Sequence, residues 1–191
     1  MSFETSKCTA RRMAQGHLQK LTGTGLDIGA GDDPFRPLSG VCRAWDPKHE
    51  DGDAAELAGV ANASMDYVYA SHCLEHLENP AAALKRWAEV IKAGGYLYVA
   101  VPDFELYEGG QAIRNRFHKT AFSLDRPSDM TVPLYNVIEL LGSTLAGGFS
   151  LRYAALCDDN YHPDLPSEVD QTRRGAVCHI EFMLQKKPIN P

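Results

Sequence analysis

The sequence predicts an α/β protein with a mostly parallel sheet, helices on both faces, an antiparallel last strand and a shortening around the third strand. Three observations predict it. Short apolar runs recur between Gly, Asp and Pro punctuation, and the early ones are nearly continuous rather than alternating, as strands covered on both faces require. A stretch with helical spacing, NPAAALKRWAEVIKAGG, lies between two such runs. The last two runs, FSLRYAALC and AVCHIEFMLQ, have no convincing helix between them, so they are expected to pair antiparallel at the sheet edge.

In chain order the expected strands are GLDIG (25–29), VCRAWD (41–46), DYVYAS (66–71), GYLYVAVP (95–102), FSLRYAALC (149–157) and AVCHIEFMLQ (176–185). The clearest helix starts at Asn79 as cap with Pro80 in the first helical position, and Gly94 or Gly95 ends it. Leu84, Trp87 and Ile91 share its core face, while Lys85, Arg86, Glu89 and Lys92 point away. The polar stretch 158–175 is too long for a hairpin turn, and its composition favours a loosely held loop.

The length of 191 residues fits one domain, 1–191, and the 44% hydrophobic and 23% charged content is that of a soluble globular chain. A net charge of -6 repels a phosphate backbone, so nucleic acid is not an expected partner. Arg11, Arg12, His17 and Lys20 read as the solvated face of an N-terminal helix. The five cysteines are odd in number and scattered, without a C-x-x-C pair or zinc spacing, which suits reduced thiols in the cytoplasm. No apolar run approaches the ~20 residues of a membrane span, and the N-terminus lacks a signal-peptide core, so no membrane partner is expected. The oligomeric state stays open.

LDIG feeding GAGDDP is a strand entering a tight glycine turn, where an open α/β sheet commonly receives a nucleotide-like ligand. Asp46, seventeen positions past Gly29, ends the next strand, where a carboxylate accepts the hydroxyls of a ribose. A dinucleotide fits badly. Asp32 and Asp33 would oppose its pyrophosphate by ~1–4 kcal/mol per close pair, and Pro34 stands where its fingerprint wants Gly or Ala. S-adenosylmethionine carries the same adenosine with a cationic tail, which acids tolerate.

LDIGAGDDP, AWDP, GDAAEL and MDYVYASHCLEHLENPAAALKRWAEVIKAGGYLYVAVPD resemble class I S-adenosylmethionine-dependent methyltransferases, most nearly the small type-11-like members found among glycan and secondary biosynthetic functions. The resemblance is good over 24–103 and weak beyond. It implies a three-layer Rossmann-like sheet and S-adenosyl-L-methionine as cofactor. It also implies that Asp27 and the turn Gly29, Ala30 and Gly31 hold the methionine part, and that Asp46 binds the ribose. Asp53 with Ala54 would lie by the adenine, and Ser71 and His72 under the cofactor. Asp33 replaces the usual third glycine and is expected to cap a next helix that Pro37 cuts short. Only seven positions separate Asp46 from Asp53, which implies a trimmed sheet and a more exposed adenine.

Methyl transfer needs alignment of the acceptor and exclusion of water, with a general base for an oxygen or ammonium acceptor. No metal is expected: His72 and His76 flank Glu75 at helical spacing without an evident third ligand, and the resemblance makes LEHL the start of a helix. The segment 103–130 reads as an insert covering the acceptor, and its HKTAFS resembles glycan-associated members. His118 and Asp103 are the catalytic candidates, His118 as base, with Asp103 and Tyr107 touching a small-molecule or glycan-like acceptor. Tyr161, His162, Arg173 and Arg174 are placed to close over it. The competing readings are a non-catalytic cofactor-binding domain acting through a protein partner and, behind it, an NAD-dependent reductase.

Overall fold

The computed structural model describes residues 3–47, 52–166 and 168–188. Its elements are α1 (Glu4–Ala14), β1 (Thr24–Ile28), β2 (Val41–Trp45), β3 (Met65–Ser71), α2 (Pro80–Val90), β4 (Ile91–Pro102), β5 (Ala121–Ser123), β6 (Leu134–Asn136), α3 (Val137–Leu145), β7 (Phe149–Cys157) and β8 (His179–Lys186). Six strands form one sheet in the order β2-β1-β3-β4-β8-β7. β1 to β4 run parallel, and β8 is antiparallel to both β4 and β7, as the missing helix between the last two runs implied. β5 and β6 make a small separate parallel pair.

Alternation along the strands gives the sheet two unlike faces. Leu26, Ile28, Val68, Ala70, Leu97, Val99, Ile180 and Phe182 point to one, where Leu84 and Trp87 of α2 and Val137 and Leu140 of α3 cover them. Tyr67, Tyr69, Tyr98 and Met183 point to the other and pack with Leu18, Leu21 and Phe35. α1 lies on this second face, where Arg12 donates to the Tyr69 hydroxyl and to Glu181.

That contact corrects the reading of the N-terminal basic residues as a solvated face. Arg12 is 1% exposed and bonds Glu181 at 2.7 Å, Arg11 pairs with Glu181 and Asp159, and the buried ring of His17 packs at a tilt against Tyr153. The helix expected after Pro34 does not form either. Asp33 instead accepts from the backbone N–H and the hydroxyl of Ser6, bracing the first turn of α1 across the glycine turn. Phe35, stacked on Tyr69 at 4.4 Å, covers sheet that a helix would otherwise cover.

α2 is capped as expected, Asn79 Oδ1 accepting from Ala82 N at 3.0 Å. It ends at Val90, four residues before the glycines read as its terminus, because Ile91 already pairs with Met65. A register shift then brings Tyr67 opposite Tyr96, and the glycine pair serves that irregularity: Gly94 has φ +81°, and a Cβ on Gly95 would lie 2.5 Å from the Asp66 carbonyl oxygen. α3, absent from the sequence reading, is capped by Asn136 Oδ1 on Ile138 N and Glu139 N. The loop 158–175 is held rather than loose, since Gln171 and His162 exchange two hydrogen bonds and Asp159 O accepts from Val177 N. Among the described residues no helix is long and apolar enough to cross a membrane.

Candidate active site

The carboxyl ends of β1 and β3 and the start of α1 enclose a pocket of about 260 Å³. Phe3, Glu4, Gly29, Gly31, Ser71 and His72 are among its walls, with Ala30, Asp32 and Asp33 completing the turn. Both glycines are required by the backbone, with φ +76° at Gly29 and +52° at Gly31. Their surroundings differ. A Cβ on Gly29 would strike Cys73 at 2.6 Å, so that position is fixed by packing, whereas a Cβ on Gly31 would meet only the Gly29 carbonyl oxygen, at 3.9 Å. Backbone is thus laid bare at Gly31, the cradle that a closely approaching adenosyl compound needs.

Asp46 Oδ2 accepts from the Gly31 amide at 3.2 Å, which brings the acid ending β2 to the glycine turn. Asp27 is 2% exposed, accepts from Phe35 N at 2.7 Å, and has its carboxyl pushed up to about 7 by burial. Asp53 Oδ1 turns back onto Ala55 N at 2.6 Å, and the Ala54 carbonyl accepts from the Trp87 indole at 2.7 Å. Ser71 and His72 stand together at the end of β3 on the pocket wall. An acid-lined turn with exposed backbone fits an adenosyl group bearing an ammonium and a sulfonium, and opposes a pyrophosphate.

His72 carries φ +55°, a left-handed conformation uncommon for a side chain of its size, held by its own N–H on the Ala100 carbonyl at 2.9 Å. Behind it runs a buried chain of polar groups. His72 Nε2 is 3.1 Å from His179 Nδ1, and His179 Nε2 is 3.1 Å from Glu181 Oε1. Glu181 is fully buried and also accepts from Arg11, from Arg12 and from the Tyr98 hydroxyl at 2.7 Å each. Burial alone would raise the Glu181 carboxyl, but His179, Arg12 and Arg11 hold it far below its ordinary value. Burial and the neighbouring His179 push His72 well below the usual imidazole range, so it is neutral at pH 7.

His118 is buried. Its Nδ1 meets Glu108 Oε1 at 2.6 Å, its Nε2 meets Asn115 Nδ2 at 3.0 Å, and Tyr107 stacks on its ring at 5.4 Å. Asp103 is 3% exposed and gives Oδ1 to the amides of Glu105 and Leu106, with its carboxyl raised to about 6 by burial. The two catalytic candidates therefore share the insert but have different partners. LEHL is a separate 3-10 turn, Leu74–His76, followed by extended Leu77, so Glu75 points inward instead of opening a helix. A second cavity of about 770 Å³ shares Phe3 with the first and is walled by Lys7, Tyr107, Asp170, Thr172 and Arg173. Arg173 lines this cavity, while Tyr161, His162 and Arg174 are not on that wall.

Sequence reading missed Glu4, His179 and Glu181. The last two left a trace, since polar side chains two apart in an otherwise apolar strand face the same way and need a buried partner.

A methyltransferase-domain family model matches residues 22–99. Among solved structures, a provisionally assigned S-adenosylmethionine-dependent methyltransferase from Listeria monocytogenes is similar with TM-score 0.58 at 14% identity, over 96% of this chain and 99% of that one. A provisionally assigned methyltransferase from Bacillus halodurans C-125 gives 0.60 at 16%, over 94% and 98%. An arsenic(III) S-adenosylmethionine methyltransferase from Chlamydomonas reinhardtii gives 0.54 at 14%, over 90% and 65%. At these identities the likeness is one of fold, which by itself selects no acceptor. No curated protein matches the chain. With the matched stretch running from β1 into β4, residues 22–99 form a methyltransferase domain, the fold is that of S-adenosylmethionine-dependent methyltransferases, and the cofactor is S-adenosyl-L-methionine.

Proposed function

We propose that the acceptor is a small molecule or glycan-like compound bound between the start of α1, the 103–130 insert and the 158–175 loop. The observation that carries this is the cavity of about 770 Å³ that shares the Phe3 side with the pocket at the glycine turn. Its volume lies within the ~300–1,000 Å³ range of small-ligand sites. Lys7 and Arg173 offer donors, Asp170 an acceptor and Tyr107 a flat ring, which together suit a hydroxylated or carboxylated compound.

The bound cofactor supplies a methyl group on a sulfonium whose departure neutralises its own charge. What remains for the chain is to align the acceptor, keep water out and take up a proton. His72 does the last in this reading. Taking Glu181 rather than Arg11 Nη2, which lies 3.2 Å from the same nitrogen, as the partner of His179 Nε2, Glu181 accepts from His179 Nε2–H, His179 Nδ1 accepts from His72 Nε2–H, and His72 Nδ1 keeps the lone pair that receives the acceptor proton. His118 is the less suitable base, because its Nε2 is already taken by Asn115 Nδ2 and it does not wall the cofactor pocket. Asp103 braces the first turn of the insert.

Methyl transfer from labelled cofactor to a panel of small hydroxylated, carboxylated and amino acceptors tests the reading. For the best acceptor, His72→Gln is expected to lower kcat about 100-fold or more. Arg173→Ala is expected to raise KM several-fold with S-adenosylhomocysteine affinity unchanged. Transfer confined to macromolecules, or equal kinetics in both variants, would overturn it.

A further inference from the structure

Behind His72, one step from the cofactor pocket, lies a cluster whose other members have no part in that proton transfer. Glu75 is 1% exposed, and neither of its carboxylate oxygens has a hydrogen-bond partner among the described residues. Three imidazole nitrogens surround its Oε1: His72 Nδ1 at 3.7 Å, His76 Nε2 at 3.8 Å and His118 Nε2 at 4.0 Å. Leaving such a carboxylate unbonded is costly.

The far nitrogens explain how the rings are poised. His76 Nδ1 donates to the Phe117 carbonyl at 2.9 Å, and His118 Nδ1 donates to Glu108 Oε1 at 2.6 Å. Each ring thereby spends its proton outward and turns an Nε2 lone pair inward. Carbonyl and carboxylate partners of this kind are the outer shell that orients metal-binding histidines. The distant parts of the chain are also locked together, since the Glu75 carbonyl accepts from Lys119 N at 2.7 Å and Thr120 N at 3.1 Å. With that of His72 Nδ1, three lone pairs and an unbonded carboxylate thus converge, and the N–H that meets them is that of Asn115 Nδ2, on His118 Nε2. A cation resolves that repulsion.

We propose that Glu75, His76 and His118 bind one first-row divalent transition-metal ion of the zinc class. Two imidazoles and a carboxylate favour such an ion over Mg²⁺ or Ca²⁺, which take oxygen ligands. Tetrahedral ligands ~2.0–2.2 Å from zinc lie about 3.3–3.6 Å apart, so binding draws each histidine a few tenths of an ångström towards Glu75, and the three ligand atoms already lie within 4.8 Å of one another. The His76 side chain is 42% exposed, which gives the ion an entry path. Three protein ligands leave a position open, as in catalytic zinc sites. Offering that position to an acceptor oxygen is a role that rests on the methyl-transfer reading above, whereas ion binding does not.

Chelator-treated full-length protein, titrated with Zn²⁺ by calorimetry and with Co²⁺ by visible absorption, tests the site, with S-adenosylhomocysteine binding measured in parallel. One equivalent is expected, with Co²⁺ bands of a low-coordinate nitrogen and oxygen site. His76→Ala and Glu75→Gln should weaken Zn²⁺ binding about 100-fold or more, and Glu108→Gln about 10- to 100-fold. Glu75→Gln risks the fold, so the exposed His76→Ala is the deciding variant: Zn²⁺ should raise the Tm of the wild type and leave that of His76→Ala unmoved. No Zn²⁺ bound at micromolar concentration, or binding undiminished in His76→Ala, overturns the site. Loss of S-adenosylhomocysteine binding beside intact, His76-dependent Zn²⁺ binding would support the site and count against the cofactor reading alone.

Discussion

The two faces of the central sheet are built from the same strands and hold together by different physics. On the face under α2 and α3, Leu26, Val68, Leu97, Val99 and Phe182 meet Leu84, Trp87 and Leu140 in an aliphatic core that satisfies itself by burial alone. On the face under α1 the same strands present Asp27, Tyr69, Tyr98, His179 and Glu181, each with a polar atom that needs a partner. The first face sets stability with little dependence on pH. The second carries charge to the cofactor pocket, because His179 connects Glu181 to His72 on the pocket wall. A strand of period two supplies both, so one sheet separates scaffold from chemistry without a second domain.

The largest effect that would break this division is expected from Glu181→Ala. It leaves Arg12, 1% exposed, without its carboxylate, and breaking a buried pair in this way costs about 3–5 kcal/mol. Combining Glu181→Leu with Arg12→Met should recover part of that loss in denaturant unfolding, since the charges then leave together. If Glu181→Ala unfolds within experimental error of the wild type, the polar face does not hold α1 to the sheet.

Leu97→Ala probes the opposite face and is expected to cost about 2–5 kcal/mol, transfer and cavity terms together. Its signature is what it spares. Calorimetry should find S-adenosylhomocysteine affinity unchanged at temperatures well below its Tm, and a tenfold loss would show that the faces are coupled.

Legibility in the sequence followed the same division. Apolar runs gave the aliphatic strands, the antiparallel ending and the core stripe of α2, because burial imposes a period that one sequence displays. The glycine turn and Asp46 were legible because positive φ and a strand-end acid are local features. The polar face was not. Arg12 meets Glu181 across 169 positions, and nothing local distinguishes a buried arginine from a solvated one. Glu75 and His118 were unreadable together for the same reason: their separation closes only because the insert folds its backbone onto the Glu75 carbonyl. The end of α2 was misplaced because Gly94 and Gly95 suit a helix terminus and a strand irregularity equally well.

Asp27→Asn gives the smallest change in stability at acid pH and the sharpest test, because it alters charge on the polar face without altering shape. Burial raises the Asp27 carboxyl from 3.8 to about 7 in the folded chain. A raised folded pKa means that this group's stabilisation is full below about pH 4, its unfolded value, and is lost as pH rises towards 7. The substituted amide would keep an oxygen for the Phe35 N–H and carry no charge to desolvate. Thermal melts from pH 4 to 8 should therefore show the variant gaining on the wild type as pH rises, with the two converging at the acid end. Parallel profiles would mean that Asp27 is solvated in the folded chain. The same variant should bind S-adenosylhomocysteine about tenfold more weakly at pH 8, the cost of one hydrogen bond to a charged group. Gained stability with lost affinity would mark the acid as kept for its ligand at the expense of the fold, whereas gained stability with affinity intact would leave the carboxylate holding only the turn.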